Sequence, residues 1–570
     1  MDRKVLENDN RWLNSEKVDT ADQELLKNYT QEQIDDAFFQ DIKFGTAGMR
    51  GVLGPGTNRM NTFTIRKACF AFGKFLLSKY SDAKTRGVAI SHDNRHMSRE
   101  FTLECVQILN DMGIDTYIFD SLRPTPELSY AIRYQKCCGG IMITASHNPK
   151  EYNGFKVYDS FGCQLVPNKI APLINIINTL PDELNIDIVV EKERGTNHFF
   201  DEKCDETYVE LVKTVQVNPD LPKNNFKIVY SPNHGTSYVN AMRVFSDCGY
   251  EVYPVLCQCD PNPDFSGTKS PNPEDPISYE ESIKLAKEVD ADLICMTDPD
   301  GDRVGLACKD KNGEYVLLTG NESAAILIEY LFSEKSKKGL LSDNGVMYNT
   351  IVTSKLGEKI AADYGVKTES FLTGFKFIGD RIQYYEEHDG PTFEFGYEES
   401  YGCLIKPFVR DKDGIQAILA YCECALFYKL QGLTLVDVYE KLGEKYGHHK
   451  SKLFNIYFKG SDGSKKMASI IKELASNPLK ELLGNKVVVF ERYDTLIRKD
   501  FVTGDESNIV GLPSSDVLKF YFEDGTNIAV RPSGTEPKCK FYIEVVCKNL
   551  EDTKGQADKY FAELKKILKL

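Results

Sequence analysis

Apolar and polar residues follow two different patterns along the chain, one typical of helices and one typical of short buried strands. In residues 61–80, NTFTIRKACFAFGKFLLSKY, apolar side chains recur at the spacing of a helix that is buried over most of its length. Residues 98–113, SREFTLECVQILNDMG, predict a second helix, with Ser98 as its N-cap and Gly113 just past its end. Between these two helices, the short apolar run of residues 86–95 predicts a strand.

A short apolar strand that opens onto a polar loop occurs five times. The segments are RGVAISHDNR (86–95), GGIMITASHN (139–148), NFKIVYSPNHG (225–235), ADLICMTDPDGDR (291–303) and TNIAVRPSGTEP (526–537). Strands that alternate with helices predict α/β domains with parallel sheets, whose ligand sites lie beyond the carboxyl ends of the strands. The last part of the chain differs, because the strand-like KLFNIYFKG (452–460) and the hairpin signal Asp524-Gly525 predict a more antiparallel α+β unit.

Charged or breaker-rich stretches divide the chain into four predicted domains. These stretches are EKERGTNHFFDEK (191–203), KDKNGEYVLLTGNES (309–323) and YEKLGEKYGHHKSK (439–452). The predicted domains are residues 1–203, 204–318, 319–446 and 447–570. A chain of 570 residues has enough material for each of them to bury its own core.

Composition narrows the class of protein. The formal net charge of −15 argues against general binding of nucleic acids or anionic membranes, so an anionic substrate needs a local cluster of cations. The sixteen cysteines form no CxxC pair and many lie in apolar runs, which predicts buried thiols in a reducing compartment. The N-terminus lacks an apolar signal core, and the longest apolar run, 324–332, is interrupted by Glu329 and too short to span a bilayer. We therefore expect a soluble, cytoplasmic protein.

The loop TDPDGDRVG (297–305) carries the most specific local signal. Asp298, Asp300 and Asp302 alternate around a Pro-Gly turn, where three carboxylates can converge on one hard cation such as Mg²⁺, Ca²⁺ or Mn²⁺. An EF-hand is excluded, because Arg303 stands where that loop needs glycine and Lys309 where it needs glutamate. The remaining alternative is a solvated acidic turn.

The segment TASHNP places Ser146 directly before His147. Ser146 has no GxSxG elbow around it, and an adjacent histidine is not the separately positioned base of a triad. Read locally, the segment is a capped turn. The downstream Lys150 and Lys156 would instead suit a serine that carries phosphate, and the same serine could offer a fourth oxygen to the metal.

Two further loops have residue types that bind phosphate or sugar. In AVRPSGTEPKCKFY (529–542), the Arg531 guanidinium, the Ser533 and Thr535 hydroxyls and the Gly534 backbone can form an anion cradle, with a surface turn as the alternative. The chain contains no P-loop. FGYEESYG (395–402) offers carboxylates and a hydroxyl that could bind sugar hydroxyls, with an exposed turn as the alternative. GTAGMRG (45–51) and TGFKFIG (373–379) each add one cation, which in isolation is a surface side chain.

In this order, the loops TASHNP, DPDGDR, GYEESYG and RPSGTEPK resemble the phosphoserine, metal, sugar and phosphate loops of the α-D-phosphohexomutase superfamily. The resemblance runs from about residue 45 to about residue 542, and RWL, FGTAGMRG, NPKEYNGFKVY and TGFKFIG are similar to its long phosphoglucomutase-2 and phosphopentomutase branch. Phe375 departs from the pattern, because some members have histidine there. This departure turns attention from a histidine to Lys376, Lys156 and Arg50 as groups that move protons.

The resemblance implies an α/β fold of four domains around a central cleft, with three related domains of mixed sheets and a C-terminal α+β domain. It implies an isomerase that moves phosphate between positions 1 and 6 of glucose through a phosphoserine and glucose 1,6-bisphosphate, with pentose or mannose phosphates as alternative substrates. It also implies one Mg²⁺ per chain, held by Ser146, Asp298, Asp300 and Asp302, and a monomer or homodimer. The other implied site residues are His147, Lys156, Lys376 and Arg50 for catalysis and Arg303, Thr373, Gly374, Glu398, Ser400, Arg531, Ser533, Gly534 and Thr535 for substrate binding.

Two other functions compete with the mutase at this point. A metal-dependent phosphatase would use the same serine and cation but pass the phosphate to water, without needing a grip on both ends of a sugar. A calcium- or sugar-binding module would need the acidic and EES loops but no covalent serine.

Overall fold

The computed structural model describes residues 3–45, 48–458, 460–532 and 538–570. Along these residues the chain forms four sheets, of which three mix parallel and antiparallel strands and the fourth is antiparallel. The predicted fold class of three related α/β domains and a C-terminal α+β domain is therefore confirmed. The boundaries at residues 203, 318 and 446 stay predictions.

The first sheet contains the strand that leads to Ser146. The elements of this region are α1 (Arg3–Leu13), α2 (Thr20–Lys27), α3 (Gln31–Phe38), β1 (Met49–Val52), α4 (Thr62–Lys79), α5 (Ala83–Arg86), β2 (Val88–His92), α6 (Ser98–Asp111), β3 (Thr116–Ile118), α7 (Thr125–Gln135), β4 (Gly139–Ile143), β5 (Tyr152–Asp159), α8 (Pro167–Thr179), a 3-10 turn (Glu183–Asn185) and β6 (Asn197–Phe199). The strand order is β1-β5-β4-β2-β3-β6, and β5 runs antiparallel to both of its neighbours.

The second sheet contains the strand that leads to the three aspartates. Its region comprises α9 (Glu202–Lys213), β7 (Lys227–Ser231), α10 (Tyr238–Asp247), β8 (Glu251–Pro254), 3-10 turns at Leu256–Gln258 and Pro276–Tyr279, α11 (Glu280–Val289), β9 (Leu293–Thr297), β10 (Val304–Lys309) and β11 (Tyr315–Leu318). The order is β11-β10-β9-β7-β8. β9 is buried at every position, as its continuous apolar sequence predicts.

The third region is built around the loop that carries Glu398. Its elements are α12 (Gly320–Lys337), β12 (Gly345–Thr350), α13 (Leu356–Asp363), β13 (Lys367–Phe371), α14 (Lys376–Glu387), β14 (Thr392–Tyr397), β15 (Cys403–Leu404), α15 (Gly414–Lys429) and α16 (Leu435–Tyr446). The strand order is β13-β12-β14-β15.

The fourth sheet is antiparallel throughout and contains Arg531. Its elements are β16 (His448–Tyr457), α17 (Gly460–Ser476), β17 (Glu481–Leu482), β18 (Asn485–Arg492), β19 (Ile497–Asp500), β20 (Glu506–Asn508), β21 (Leu518–Phe522), β22 (Asn527–Pro532), β23 (Lys538–Cys547), α18 (Leu550–Thr553) and α19 (Gln556–Ile567). β21 and β22 pair antiparallel across Asp524-Gly525, which confirms the predicted hairpin. The fifth apolar run, β22, thus differs from the other four, which are strands of the mixed sheets.

The three α/β sheets share one strand order although no repeat is visible in the sequence. Four strands follow the same arrangement in each sheet: β3-β2-β4-β5, β8-β7-β9-β10 and β13-β12-β14-β15. The first three strands of each set are parallel, and the fourth is antiparallel. The loops with Ser146, Asp298 and Glu398 follow the equivalent strands β4, β9 and β14, at the edge where ligands of such sheets bind.

The predicted helices are present, with one correction. The helix at 61–80 is α4, and the one at 98–113 is α6, with Gly113 in a left-handed conformation past its end. Ser98 is not the N-cap. Met97 takes that position with φ 65°, and the Ser98 hydroxyl instead donates to Asp93 Oδ1 at 2.7 Å. The prediction was wrong because a carboxylate from the loop after β2 binds this hydroxyl.

Two predictions from composition can be compared with the structure. All sixteen cysteines are free thiols and only Cys257 is exposed, as their apolar surroundings predict. Among the described residues, no helix combines the length and the apolar character that crossing a membrane requires.

Candidate active site

One cleft of about 1170 Å³ brings together loops from all four sheets. The predicted residues that line it are Arg50, Ser146, His147, Lys156, Asp302, Arg303, Thr373, Gly374, Lys376, Glu398, Ser400 and Arg531. Asp298 and Asp300 are fully buried beside Asp302. Ser533, Gly534 and Thr535 lie outside the described residues.

Ser146 is held with its hydroxyl pointing at the second domain. It follows β4 in a left-handed conformation, with φ 53°, and only 3% of the residue is exposed. Its backbone N–H donates to Thr144 Oγ1 at 2.8 Å. Its Oγ donates to Asp298 Oδ2 at 2.9 Å and lies 3.1 Å from His147 Nδ1. A non-glycine residue rarely adopts this backbone conformation, and such strain is often found at functional positions.

The three aspartates converge as the sequence predicts. One carboxylate oxygen from each of Asp298, Asp300 and Asp302 lies within 4.8 Å of the others, and all three residues are buried. The turn is closed by Asp298 Oδ1, which accepts from the backbone N–H groups of Asp302 at 3.1 Å and Arg303 at 3.0 Å. A single strand end therefore presents three carboxylates to one point.

The donor set fits a hard divalent cation. Asp300 Oδ1 and Asp302 Oδ1 are buried and have no hydrogen-bond partner among the described residues. Unpaired carboxylate oxygens are costly to bury, and a cation would satisfy them. All the available ligands, including the Ser146 hydroxyl, are oxygens, which suits Mg²⁺ better than zinc.

The pKa values of Asp298 and Asp300 are shifted in opposite directions. Burial and the charges of Asp300 and Asp302 raise the pKa of Asp298 well above its usual range. Burial also opposes ionisation of Asp300, but the Lys156 ammonium, 2.8 Å from Asp300 Oδ2, outweighs it and lowers the pKa of that carboxyl. Lys156 thus compensates part of the negative charge of the aspartates, and its predicted role beside a serine that carries phosphate stays a prediction.

Lys412, which sequence reasoning missed, also neutralises this cluster. Its Nζ lies 3.1 Å from Asp302 Oδ2, 3.6 Å from Glu398 Oε2 and 3.8 Å from Asp411 Oδ1. It therefore joins the loop after β9 in the second domain to the loop after β14 in the third. Its local sequence, RDKDG, looks like an ordinary charged turn and carries no signal of this role.

Arg95 is the second residue that the sequence did not reveal. Its guanidinium donates to four backbone carbonyls of the serine loop, those of Ser146, Asn148, Pro149 and Tyr152, at 2.5–3.0 Å. The Arg95 side chain is fully buried, and its Nε lies 3.1 Å from Asp93 Oδ2. The loop after β2 thus holds the loop after β4 in place.

A loop of the second domain covers Arg95 and joins the two domains. The Phe265 ring centroid lies 5.2 Å from the Arg95 guanidinium carbon. Nearby, Asp264 Oδ1 lies 3.2 Å from His96 Nε2 and 3.1 Å from Lys150 Nζ. These contacts hold the first domain against the second. The distance from Ser146 to Asp298 depends on this relative position of the two domains.

The other residues predicted around the serine have distinct positions. Burial and the guanidinium groups of Arg303 and Arg50 lower the pKa of His147 well below its usual range, so this imidazole is neutral. Arg50 is exposed on β1 and donates to Asn148 Oδ1 at 2.9 Å. Arg303 Nη1 donates to Glu274 Oε1 at 2.6 Å, and its Nε lies 3.9 Å from Asp298 Oδ2.

The sugar loop faces the first residue of α14. Glu398 Oε1 accepts from the backbone N–H of Gly374 at 2.8 Å, which ties the loop after β14 to the loop before α14. Lys376, the first residue of that helix, is only 5% exposed. Burial and the charge of Arg531 lower the pKa of Lys376 to about 8. Glu399 accepts from Thr350 Oγ1 at 2.9 Å, and burial together with Glu398 raises its pKa to about 7.

The fourth domain contributes a row of cations to the same cleft. Arg531 on β22 pairs directly with Lys540 on β23, and Lys538 lies two residues earlier on the same face of β23. Burial, with the charges of Lys538 and Arg531, lowers the pKa of Lys540. Like charges held together in a cleft favour an anionic ligand. Neither lysine was predicted from the sequence, although the alternating KCK of residues 538–540 places both on one face of a strand.

A serine that hydrogen-bonds to a carboxylate cluster in a four-domain cleft, with separate cations from the fourth domain in the same cleft, is the arrangement of a phosphosugar mutase. Family models confirm this class over most of the chain. The four domains of phosphoglucomutase/phosphomannomutase match in order, three as alpha/beta/alpha domains I to III at residues 41–183, 206–313 and 319–446 and one as the C-terminal domain at residues 472–559. The chain belongs to the phosphoglucomutase/phosphomannomutase family, and the prediction of an intramolecular phosphotransferase of the isomerase class is confirmed.

Individual relatives agree with the family. The chain is 36% identical to the phosphoglucomutase of Staphylococcus epidermidis over 549 residues, which cover 95% of this chain and 97% of that protein. It is also 36% identical to a Staphylococcus aureus phosphoglucomutase over 544 residues, covering 94% and 96%. The open form of Paramecium pp63/parafusin has the same fold, with a TM-score of 0.67 at 20% identity and coverage of 92% and 93%. A Burkholderia thailandensis family member gives 0.66 at 18% identity, covering 92% and 97%.

Proposed function

We propose that the chain is a phosphoglucomutase that interconverts glucose 1-phosphate and glucose 6-phosphate. The observation that carries the proposal is that one cleft joins Ser146 and the three aspartates to the separate cations Arg531 and Lys540. An enzyme that moves phosphate from one end of a sugar to the other needs two phosphate subsites. The curated relatives named phosphoglucomutase support glucose as the sugar.

Ser146 is the proposed carrier of the phosphoryl group. In the transfer step the bond between phosphorus and Ser146 Oγ breaks, and a bond to the free sugar hydroxyl forms, giving glucose 1,6-bisphosphate. In the return step the other phosphate is transferred back to Ser146. Mg²⁺ held by Ser146, Asp298, Asp300 and Asp302 would supply positive charge that stabilises the loosened phosphoryl group.

The far end of the cleft holds the phosphate that does not react. Arg531 offers two parallel donors to phosphate oxygens, and Lys540 opposite it adds an ammonium. Ser533, Gly534 and Thr535 are proposed as neutral donors in the same loop. Glu398 and Ser400, between the two ends, would hold sugar hydroxyls in either orientation. After the bisphosphate turns round, each phosphate occupies the subsite that the other has left.

Lys376 is the proposed carrier of the sugar hydroxyl proton. With a pKa of about 8, it can exist in both protonation states near neutral pH, which an acid and base for a reversible transfer requires. Lys156 is less suited, because its ammonium is bound to Asp300 at 2.8 Å. Arg50 and Arg303 would then contribute fixed positive charge at the reacting end, and neutral His147 a hydrogen bond to the serine.

Incubation with glucose 1-phosphate and Mg²⁺ tests the activity. We expect glucose 6-phosphate to form, with a catalytic amount of glucose 1,6-bisphosphate as activator. Intact-mass measurement should find one removable phosphate, mapped to Ser146 and absent from Ser146→Ala. Free phosphate without glucose 6-phosphate would instead identify a phosphatase.

The family description also names phosphomannomutase, which makes mannose 1-phosphate the second candidate substrate. Comparing kcat/KM on glucose 1-phosphate, mannose 1-phosphate and ribose 1-phosphate separates these activities from the phosphopentomutase alternative. A clear preference for either other sugar would overturn glucose as the main substrate. A monomer or homodimer and a cytoplasmic location stay predictions.

A further inference from the structure

A second large cavity lies at the opposite edge of the first sheet from Ser146. Its volume is about 1020 Å³, and we call it the basic pocket after its five cations, Lys79, Arg86, Arg133, Lys136 and Lys169. Segments before β2 and before β4 and the turn after β5 form its walls. These positions lie at the amino ends of the parallel strands, whereas Ser146 follows the carboxyl end of β4. The basic pocket is therefore separate from the catalytic cleft.

The lining of the basic pocket has an excess of positive charge. Two carboxylates, Asp82 and Asp159, stand against the five cations. No described carboxylate lies within 4.0 Å of the ammonium groups of Lys79 or Lys136, since all ion pairs found in this region involve the other three cations. In a chain of net charge −15, such a local excess attracts an anion.

The wall between the first and third domains contains a crowded pair of guanidinium groups. The amide oxygen of Gln383 accepts from Arg133 Nη1 at 3.3 Å and from Arg410 Nε at 3.2 Å. The nearby carboxylate of Glu386 is shared, because it hydrogen-bonds to Arg410 and lies 4.0 Å from Arg133. Burial and the charge of Arg133 lower the pKa of Arg410 to about 10. An anion beside Arg133 would relieve this repulsion.

The floor of the pocket adds neutral donors and rings to the cations. Tyr80 lies between Lys79 and Arg86, whose charged groups are each 5.1 Å from its ring centroid. Its hydroxyl is 3.3 Å from Ser160 Oγ. Hydroxyls beside cations are the donors that bind phosphate oxygens. The volume accommodates an organic molecule as well as its phosphate groups.

We propose that the basic pocket binds a small phosphorylated anion with two or more negative charges. One helix, α14, contributes residues to both the basic pocket and the catalytic cleft. Gln383 lies in α14, whose first residue is Lys376, and Lys169 binds Asp380 of the same helix at 2.6 Å. An anion that competes with Asp380 for Lys169 would act on the element that carries the proposed proton carrier.

Isothermal titration calorimetry with inorganic pyrophosphate, in the absence of metal ions, measures the affinity of the basic pocket for an anion and so tests the proposal. The background is Arg531→Gln/Lys540→Gln, which weakens anion binding in the cleft. In this background we expect a Kd of about 1 mM or tighter. Adding Lys79→Gln/Lys136→Gln should weaken it at least about tenfold, because two charge-assisted contacts are lost. The matched control is Lys284→Gln/Lys548→Gln, which removes the same charge from exposed positions.

Either of two results overturns the proposal. One is the absence of pyrophosphate binding in the cleft-weakened background. The other is equal affinity in the Lys79/Lys136 and Lys284/Lys548 variants, which would show only a general effect of net charge. Both results leave the proposed mutase activity untouched, since that activity is measured with the wild-type cleft. If the site is confirmed, repeating the titration with an organic sugar bisphosphate distinguishes an inorganic from an organic ligand.

Discussion

The two proposed ends of the cleft, the reacting end at Ser146 and the far end at Arg531, are built in different ways. At the reacting end, Ser146, Asp298 and Asp300 are at most 3% exposed, and bonds of 2.8–2.9 Å cross from the first domain to the second. At the far end, Arg531 and Lys540 are half-buried on neighbouring antiparallel strands. Breaking a P–O bond needs precise geometry, whereas holding a phosphate needs mainly charge. The buried end therefore fixes positions, and the open end supplies attraction.

The largest effect is expected where the buried carboxylates meet. Asp300→Asn keeps the shape of the side chain but removes a charge from the proposed metal site, so kcat should fall by about 10³-fold or more. Mg²⁺ affinity, measured by titration of activity, should fall as well. Exposed Asp220→Asn is the control and should change neither quantity. A variant that retains more than about a tenth of the wild-type kcat would contradict the three-aspartate site.

The next largest effect tests whether activity depends on the exact position of the serine loop. Arg95→Ala should lower kcat by about 10²-fold and leave KM for glucose 1-phosphate nearly unchanged, because the guanidinium hydrogen bonds of Arg95 hold the backbone of the serine loop in position. Added guanidinium chloride at a non-denaturing concentration should restore part of kcat, and Arg95→Lys should retain more activity than the alanine variant.

A purely structural role of Arg95 predicts a different pattern. It would lower the melting temperature and the active fraction without any rescue by guanidinium. Arg243→Ala, which removes an exposed guanidinium paired with Glu206 at 3.8 Å, serves as the matched control.

The far end should show the opposite kinetic pattern. Arg531→Gln or Lys540→Gln should raise KM for glucose 1-phosphate by about tenfold, with kcat changed by less than about threefold, because each removes one charged contact to a phosphate that does not react. Lys548→Gln, on the exposed surface after β23, should leave KM unchanged. If kcat fell as far as in Arg95→Ala, the proposed difference between the two ends would be wrong.

An effect of similar size concerns the pH dependence that Lys376 gives to the reaction. Burial and Arg531 lower the pKa of Lys376 to about 8, so its ammonium loses charge as the pH rises through that value. We expect kcat/KM to rise by about tenfold from pH 7 to pH 9, because the neutral amine, the form that accepts the sugar hydroxyl proton, becomes the main form of Lys376 in the free enzyme. In Lys376→Arg this rise should disappear, since guanidinium does not titrate there. An unchanged rise would assign the titration to another group.

The loops that carry the predicted site residues, and their order along the chain, could be identified from the sequence alone. The serine, the aspartates and EES each follow a strand of a mixed sheet, and a parallel strand places such a loop at the ligand edge of its sheet. Arg531 instead lies on a strand of the antiparallel fourth sheet. The acidic loop is informative by itself, because three carboxylates so close in sequence cannot avoid being close in space. The aspartate cluster and the α/β fold class could both be predicted because each depends on residues that are close together in the sequence.

Other residues could be assigned only from the tertiary structure. Arg95 is about fifty residues from the carbonyls that it binds, and Lys412 is more than a hundred from Asp302, so no spacing in the sequence links either pair. The common topology of the three sheets is equally invisible, because strand order depends on packing and hydrogen bonding more than on residue identity. The sequence by itself determined which groups can react and which loops carry them. Only the folded chain decided which loops meet, because side chains from different domains approach one another through contacts that no local pattern encodes.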